Sequence, residues 1–283
     1  MLNLEPYIPE NFNKLSTKEK KRVIKQTANE FFKLFGVDPI AVYVQPESED
    51  EEVRLCGKFI QYPACIYINS FFVDDDESEK LFSQLTEKDN FLPYYLLSSI
   101  AHECFHYYQY CQINKLVNDE PMTPAERETA YLYFISMYAS IFHSYCVEKG
   151  LPVRDDLTDA YIYKYSPVED TANEYARKIT KQLARIDPDE KNYSYYRRLM
   201  GIANIGSYNN DFANEFDNKQ TIIQYDLDVA LTFLRYKNEH SGLKQPYLNI
   251  NCDELERTIK EYMRKQKQSM DGTQKLLAKI LKK

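Results

Sequence analysis

The stretch "IAHECFHYYQ", residues 100–109, sets His102 and His106 four apart with Glu103 beside the first. On a helix, residues i and i+4 lie one above the other, so both imidazoles can point at a single ion. Glu103 projects about 100° round from His102, close enough to reach a water on that ion without ligating it. This is the arrangement that metal-assisted peptide hydrolysis requires. Zinc lowers the pKa of a bound water and polarises the carbonyl, and the carboxylate takes the water's proton. The flanking Ile100, Ala101, Cys104 and Phe105 are apolar, which predicts a buried helix. Polar His-Glu-His groups in such a helix need partners. The plain structural alternative is two histidines hydrogen-bonded to core tyrosines, of which a chain with 25 tyrosines has a supply.

A zinc site of this kind needs a third protein ligand and one open position. The chain's other histidines are poorly placed, His143 in an uncharged helix and His240 in the polar turn "KNEHSG". Two glutamates compete. Glu126, in "TPAERETA", lies twenty residues beyond His106, and Glu169, in "SPVEDTANEYA", lies sixty-three beyond. Each stands three residues after a predicted N-cap, so each also fits a capping-box carboxylate.

"HECFHYYQ" followed by "PVEDTANEYA" resembles the gluzincin-type metallopeptidases, including the ImmA/IrrE-like and minimal-gluzincin groups. Gln109 matches the glutamine that often follows the second histidine of that pattern. Glu169, Ala172, Asn173, Tyr175 and Ala176 match its second helix, E-x-x-A-N-x-[FY]-A. Glu126 lacks that continuation. The resemblance implies a zincin-like core with Zn2+ on His102, His106 and Glu169, Glu103 as general base, and a peptide or protein as substrate. It further implies selective cleavage of one protein, and it makes "ACIYINSFFV" the sheet edge beside the cleft, where an extended peptide could pair. The similarity covers roughly residues 37–185, and the spacing from His106 to Glu169 is longer than usual for the group.

The elements that must position these residues read as α+β. "STKEKKRVIKQTANEFFKLFG" is a helix with a Ser16/Glu19 capping box, ending at Gly36. Strands are predicted in "IAVYVQP", in "VRLCGKFIQY" with Gly57 as an interruption, and in "ACIYINSFFV". They form a small, mostly antiparallel sheet. Asp89 or Asn90 caps the helix that carries the motif, with Pro93 in its first turn and its end near Leu116. Thr123, Pro124 and Glu126 open a helix to about Gly150, and Ser166, Pro167 and Glu169 open another. "SYNNDFANEFDNKQ" carries little periodicity, and helices resume near 226–238 and from 252 onward. Acidic runs near 47–52 and 74–79 read as loops, with a short helix after the second, and "AYIYKYS" as strand-like. Any of Tyr161, Tyr163 and Tyr165 could assist an oxyanion. Residues 1–185 thus read as a metallopeptidase domain and 186–283 as a helical C-terminal region.

Net charge is −7, against broad nonspecific nucleic-acid binding. The N-terminus has no basic region followed by an apolar run, and the six cysteines form no CxxC pair. A cytoplasmic protein with reduced thiols is expected. "TAYLYFISMYASIFHSYCV", residues 129–147, has no charged side chain, but its tyrosines, serines and histidine suit a helix surrounded by protein better than a membrane span. A rival reading is a catalytically idle metal-fold protein that docks partners through its C-terminal helices.

Overall fold

The computed structural model describes residues 2–46, 56–73, 88–153, 166–189, 208–240 and 250–280. Expectations for the two acidic runs, the short helix after the second, "AYIYKYS" and Tyr161, Tyr163 and Tyr165 fall outside these residues. The fold is α+β and mostly helical, with one small mixed sheet. Contacts group the chain into two compact units, Met1–Tyr108 with Asp170–Asn210, and Gln109–Glu169 with Asp211–Lys283. The sequence alone suggests a boundary near residue 185. The grouping follows contacts rather than chain order and falls within two helices, so it divides the chain on a different basis from that reading.

In the first unit, a short helix α1 (Pro9–Phe12) precedes α2 (Thr17–Phe35). The expected capping box is formed: Ser16 N–H donates to Glu19 at 2.9 Å, and the Ser16 hydroxyl accepts from Glu19 N–H. Gly36, at φ +66°, ends the helix in the left-handed conformation that glycine tolerates. Strands β1 (Ala41–Gln45), β2 (Gly57–Gln61) and β3 (Ala64–Asn69) follow, in the order β1-β3-β2. β1 runs parallel to β3 and β2 antiparallel to it, so the sheet is mixed rather than mostly antiparallel.

β3 is therefore the central strand, which corrects the expectation that "ACIYINSFFV" forms the edge. Its composition explains the position: Cys65, Ile66, Ile68 and Asn69 are all buried, so both faces of the strand are covered. Its last residues turn into a 3-10 helix at Ser70–Phe72, which the Asn69 side chain caps by accepting from Phe71 N–H.

Helix α3 (Lys88–Val117) carries the His-Glu-His motif and is about 45 Å long at 1.5 Å per residue. It starts earlier than the capping signals suggest, which places Pro93 inside the helix rather than in its first turn. Tyr94, Leu96, Leu97, Ile100, Ala101 and Cys104 are fully buried and fall within an arc of about 160°, the side of the helix opposite His102 and His106. Tyr107 fixes its seat. That ring meets Phe32 of α2 edge-on at 5.4 Å and Phe59 of β2 at 5.7 Å, and its hydroxyl donates to the Asp38 carbonyl at 3.0 Å.

The second unit holds α4 (Pro124–Met137), α5 (Ala139–Glu148), α7 (Tyr208–His240) and α8 (Cys252–Ile280). The single helix expected from Thr123 to Gly150 is two, parted at Tyr138 (φ −103°, ψ 0°) without a proline or glycine to signal it. The rings of Phe134, Tyr138 and Phe142 cluster at the break. α7 begins some eighteen residues before the expected 226, since its asparagine-rich start lacks an apolar stripe. Tyr131, Phe134, Phe142, Ile223, Leu227, Leu234, Leu255 and Ile259 belong to one buried core. Among the described residues no helix is long and apolar enough to cross a membrane.

Among the described residues one further helix, α6 (Pro167–Ile186), contributes to both units, as α3 does. Three contacts hold it to α3: Gln109 to the Val168 carbonyl, Tyr175 stacked on Phe105, and Tyr94 to Asp187. Residue numbers rise along one helix as they fall along the other, so the pair is antiparallel.

Candidate metal centre

Two turns of α3 and the first turn of α6 build the centre. His102 and His106 place their Nε2 atoms 2.8 Å apart, with ring planes at 88° and centroids 4.4 Å apart. At 2.8 Å the two nitrogens stand at hydrogen-bond distance, one ring donating to the other. Glu169 joins them: one ligand atom from each of His102, His106 and Glu169 lies within 4.8 Å of the others. Zinc at 2.0–2.1 Å from each of two nitrogens in tetrahedral geometry would hold them about 3.3 Å apart. The observed spacing needs only small side-chain rotations to meet that value. Two imidazoles and a carboxylate are also a donor set that zinc favours, and all three residues are partly exposed, which leaves room for an open fourth position.

Glu103 stands apart from this set, as its place round the helix predicts. It is buried, 8% exposed, and its Cγ lies against Gly57 at the start of β2. A Cβ built on Gly57 would approach that Cγ to 3.0 Å, Ile68 Cδ1 to 3.0 Å and the Tyr67 carbonyl to 3.2 Å. The strand can lie this close only because residue 57 has no side chain. Glu103 also acts on its neighbour: burial first, and then this carboxylate, push the Cys104 thiol well above its ordinary pKa. Cys104 is fully buried, so it is neither ligand nor nucleophile here.

Glu126 is engaged elsewhere. One oxygen accepts from Lys115 Nζ at 2.9 Å and the other from Thr123 N–H at 2.8 Å, completing a capping box. The Lys115 bond first, then those from Thr123, lower its pKa to about 2. Of the two glutamates open from sequence, Glu169 is the one grouped with the histidines. His143 and His240 lie away from them, His143 tilted against Tyr225 and His240 stacked on Tyr236.

The α6 residues behind Glu169 explain how a glutamate from another helix comes so near. Ala172 and Ala176 are buried, at 0% and 2% exposed, on the side of the helix that carries Glu169. Small residues there permit close helix approach. Tyr175 lies at the flank of that stripe, stacked on Phe105 with centroids 4.9 Å apart and in contact with Phe35 and Phe31.

Two contributors escaped the sequence reading. Gly57 reads there as a strand interruption, although a glycine within a strand is also the usual mark of close backbone approach. Gln109 reads as a pattern match with no assigned partner. Its target, the Val168 carbonyl, is a backbone atom fifty-nine residues away and leaves no side-chain signal.

Comparisons of the chain with protein-family models, with curated proteins and with solved structures return no significant match.

Proposed function

We propose that this chain is a zinc-dependent metallopeptidase of gluzincin type with a zincin-like core, acting on a peptide or protein substrate. The observation that carries the reading is the convergence of His102, His106 and Glu169 within 4.8 Å, with Glu103 buried on the same helix. The first three would hold the ion. Zinc bound there would supply a Lewis acid for the scissile carbonyl and make its water acidic near neutral pH. Glu103 accepts the proton of the attacking water and later delivers it to the leaving amine. Its Cγ is seated against Gly57, on a side of α3 about 100° round from His102. The gluzincin resemblance supports selective cleavage of a regulator, and six cysteines without a disulfide fit a reducing, cytoplasmic setting.

The purified full-length chain tests this directly. Mass spectrometry of the native protein should find one zinc per chain, lost in His106→Ala and in Glu169→Ala. Glu103→Gln should retain the zinc and cleave a mixed peptide library at least about 100-fold more slowly, the usual contribution of a general base. A wild-type chain that holds no zinc, or a Glu103→Gln variant as active as wild type, sinks the proposal. Stoichiometric zinc without any hydrolysis would favour the idle, partner-docking alternative.

A further inference from the structure

We infer that Gln109 is a positioning residue for the third metal ligand: its side-chain amide holds the peptide unit immediately before Glu169 and so sets where that carboxylate stands. The inference rests on the zinc reading above. Gln109 is 2% exposed, and its Nε2 donates to the Val168 carbonyl at 3.1 Å. That carbonyl belongs to the peptide bond joining Val168 to Glu169, so the hydrogen bond ends on the peptide unit that supplies the Glu169 nitrogen.

Residues 102, 106 and 109 fall within an arc of about 60° on α3. One helix face therefore carries both imidazoles and the group that grips the backbone of the third ligand. Val168 lies in the first turn of α6, where its carbonyl can also serve the helical ladder. The amide of Gln109 is thus not required to satisfy an otherwise stranded acceptor. What it adds is registration: the bond ties the first turn of α6 to the face of α3 that carries the histidines. Outer contacts of this kind, which orient a ligand rather than touch the metal, commonly govern metal affinity.

A contact at the other end of the same helix pair makes the claim separable from simple helix docking. Tyr94 donates its hydroxyl to Asp187 Oδ2 at 2.6 Å, and both residues are buried. This bond also ties α6 to α3, but it lies seventeen or more residues along α6 from Glu169.

The experiment compares Gln109→Met and Tyr94→Phe in the full chain by chelator-competition titration of Zn2+ and by thermal unfolding of the metal-free protein. Both should lower the metal-free melting temperature by a few degrees. Gln109→Met alone should weaken zinc binding, by about 10–100-fold. Gln109→Asn, which keeps the amide but withdraws it by one methylene, should give the same split and serves if the methionine variant does not fold. Zinc affinity within twofold of wild type in these Gln109 variants overturns the inference while leaving the zinc reading intact. So does an equal loss in Tyr94→Phe, which would reduce Gln109 to general packing. A wild-type chain that binds no zinc overturns both.

Discussion

Gly57 and Glu103 meet across the first residue of β2, where a Cβ on the glycine would stand 3.0 Å from the glutamate Cγ. Real Cβ atoms rarely come so close, and the two other atoms at hand, Ile68 Cδ1 and the Tyr67 carbonyl, leave little slack. Gly57→Ala must therefore displace Glu103 or lift the strand. None of the three atoms nearest that Cβ belongs to a proposed metal ligand, so zinc content should stay at the wild-type level. A proton acceptor displaced by several tenths of an ångström should slow peptide hydrolysis by about 10-fold or more. Overpacking should also cost about 1–3 kcal/mol of stability. Zinc analysis, a peptide-cleavage assay and denaturant unfolding check the three parts. Undiminished cleavage would show that the carboxylate does not depend on its seat.

Glu126 can be tested by pH as well as by metal. Glu126 ionises near pH 2 in the folded chain and near its ordinary 4.5 when unfolded, since Lys115 and Thr123 are then no longer against it. A depressed carboxyl pKa means that its contribution is complete above pH 4.5. It fades as pH falls toward 2, where both states bind the proton. Glu126→Gln should accordingly be less stable than wild type at pH 7 by about 1 kcal/mol, in keeping with a lost cap and ion pair. That difference should close between pH 4.5 and 2 in thermal unfolding. The variant should keep its zinc throughout neutral pH. A Glu126→Gln chain that loses zinc would return this residue to the ligand set.

The centre was legible where its chemistry follows helical spacing. His102, Glu103 and His106 are set by a four-residue period, and Ala172 and Ala176, matched to the second helix of the resemblance, are the buried small residues on the Glu169 side of α6. The sheet was less legible because pairing is a long-range choice. Alternation in "ACIYINSFFV" marked a strand and the family resemblance made it an edge, whereas burial of Cys65 and Asn69 shows a strand covered on both faces. Breaks and starts without proline or glycine were hidden for a related reason: at Tyr138 and Tyr208 the local residues are compatible with either state, and packing decides. Backbone acceptors such as the Val168 carbonyl carry no residue-type signal at all.

The buried carboxyl of Asp226 offers a test of the second unit that is independent of the metal. Asp226 is fully buried on α7, and neither of its oxygens has a hydrogen-bond partner. Ser136 lies near enough to oppose the effect of burial but forms no hydrogen bond in the structure. Burial dominates and raises the Asp226 pKa well above its ordinary 3.8. The sign follows from linkage. Below pH 3.8 both folded and unfolded chains carry the proton, and the residue imposes no charge cost. As pH rises, the unfolded chain releases its proton while the folded chain retains it, so stability falls by about 1.4 kcal/mol per pH unit until the folded carboxyl also ionises. Asn cannot ionise, so Asp226→Asn should match wild type near pH 3.5 and exceed it by more than about 1 kcal/mol at pH 7. Unfolding curves of the two proteins from pH 3.5 to 8 provide the difference directly. A gap that stays flat with pH would mean that Asp226 titrates alike in both states and that its carboxylate reaches a partner or water.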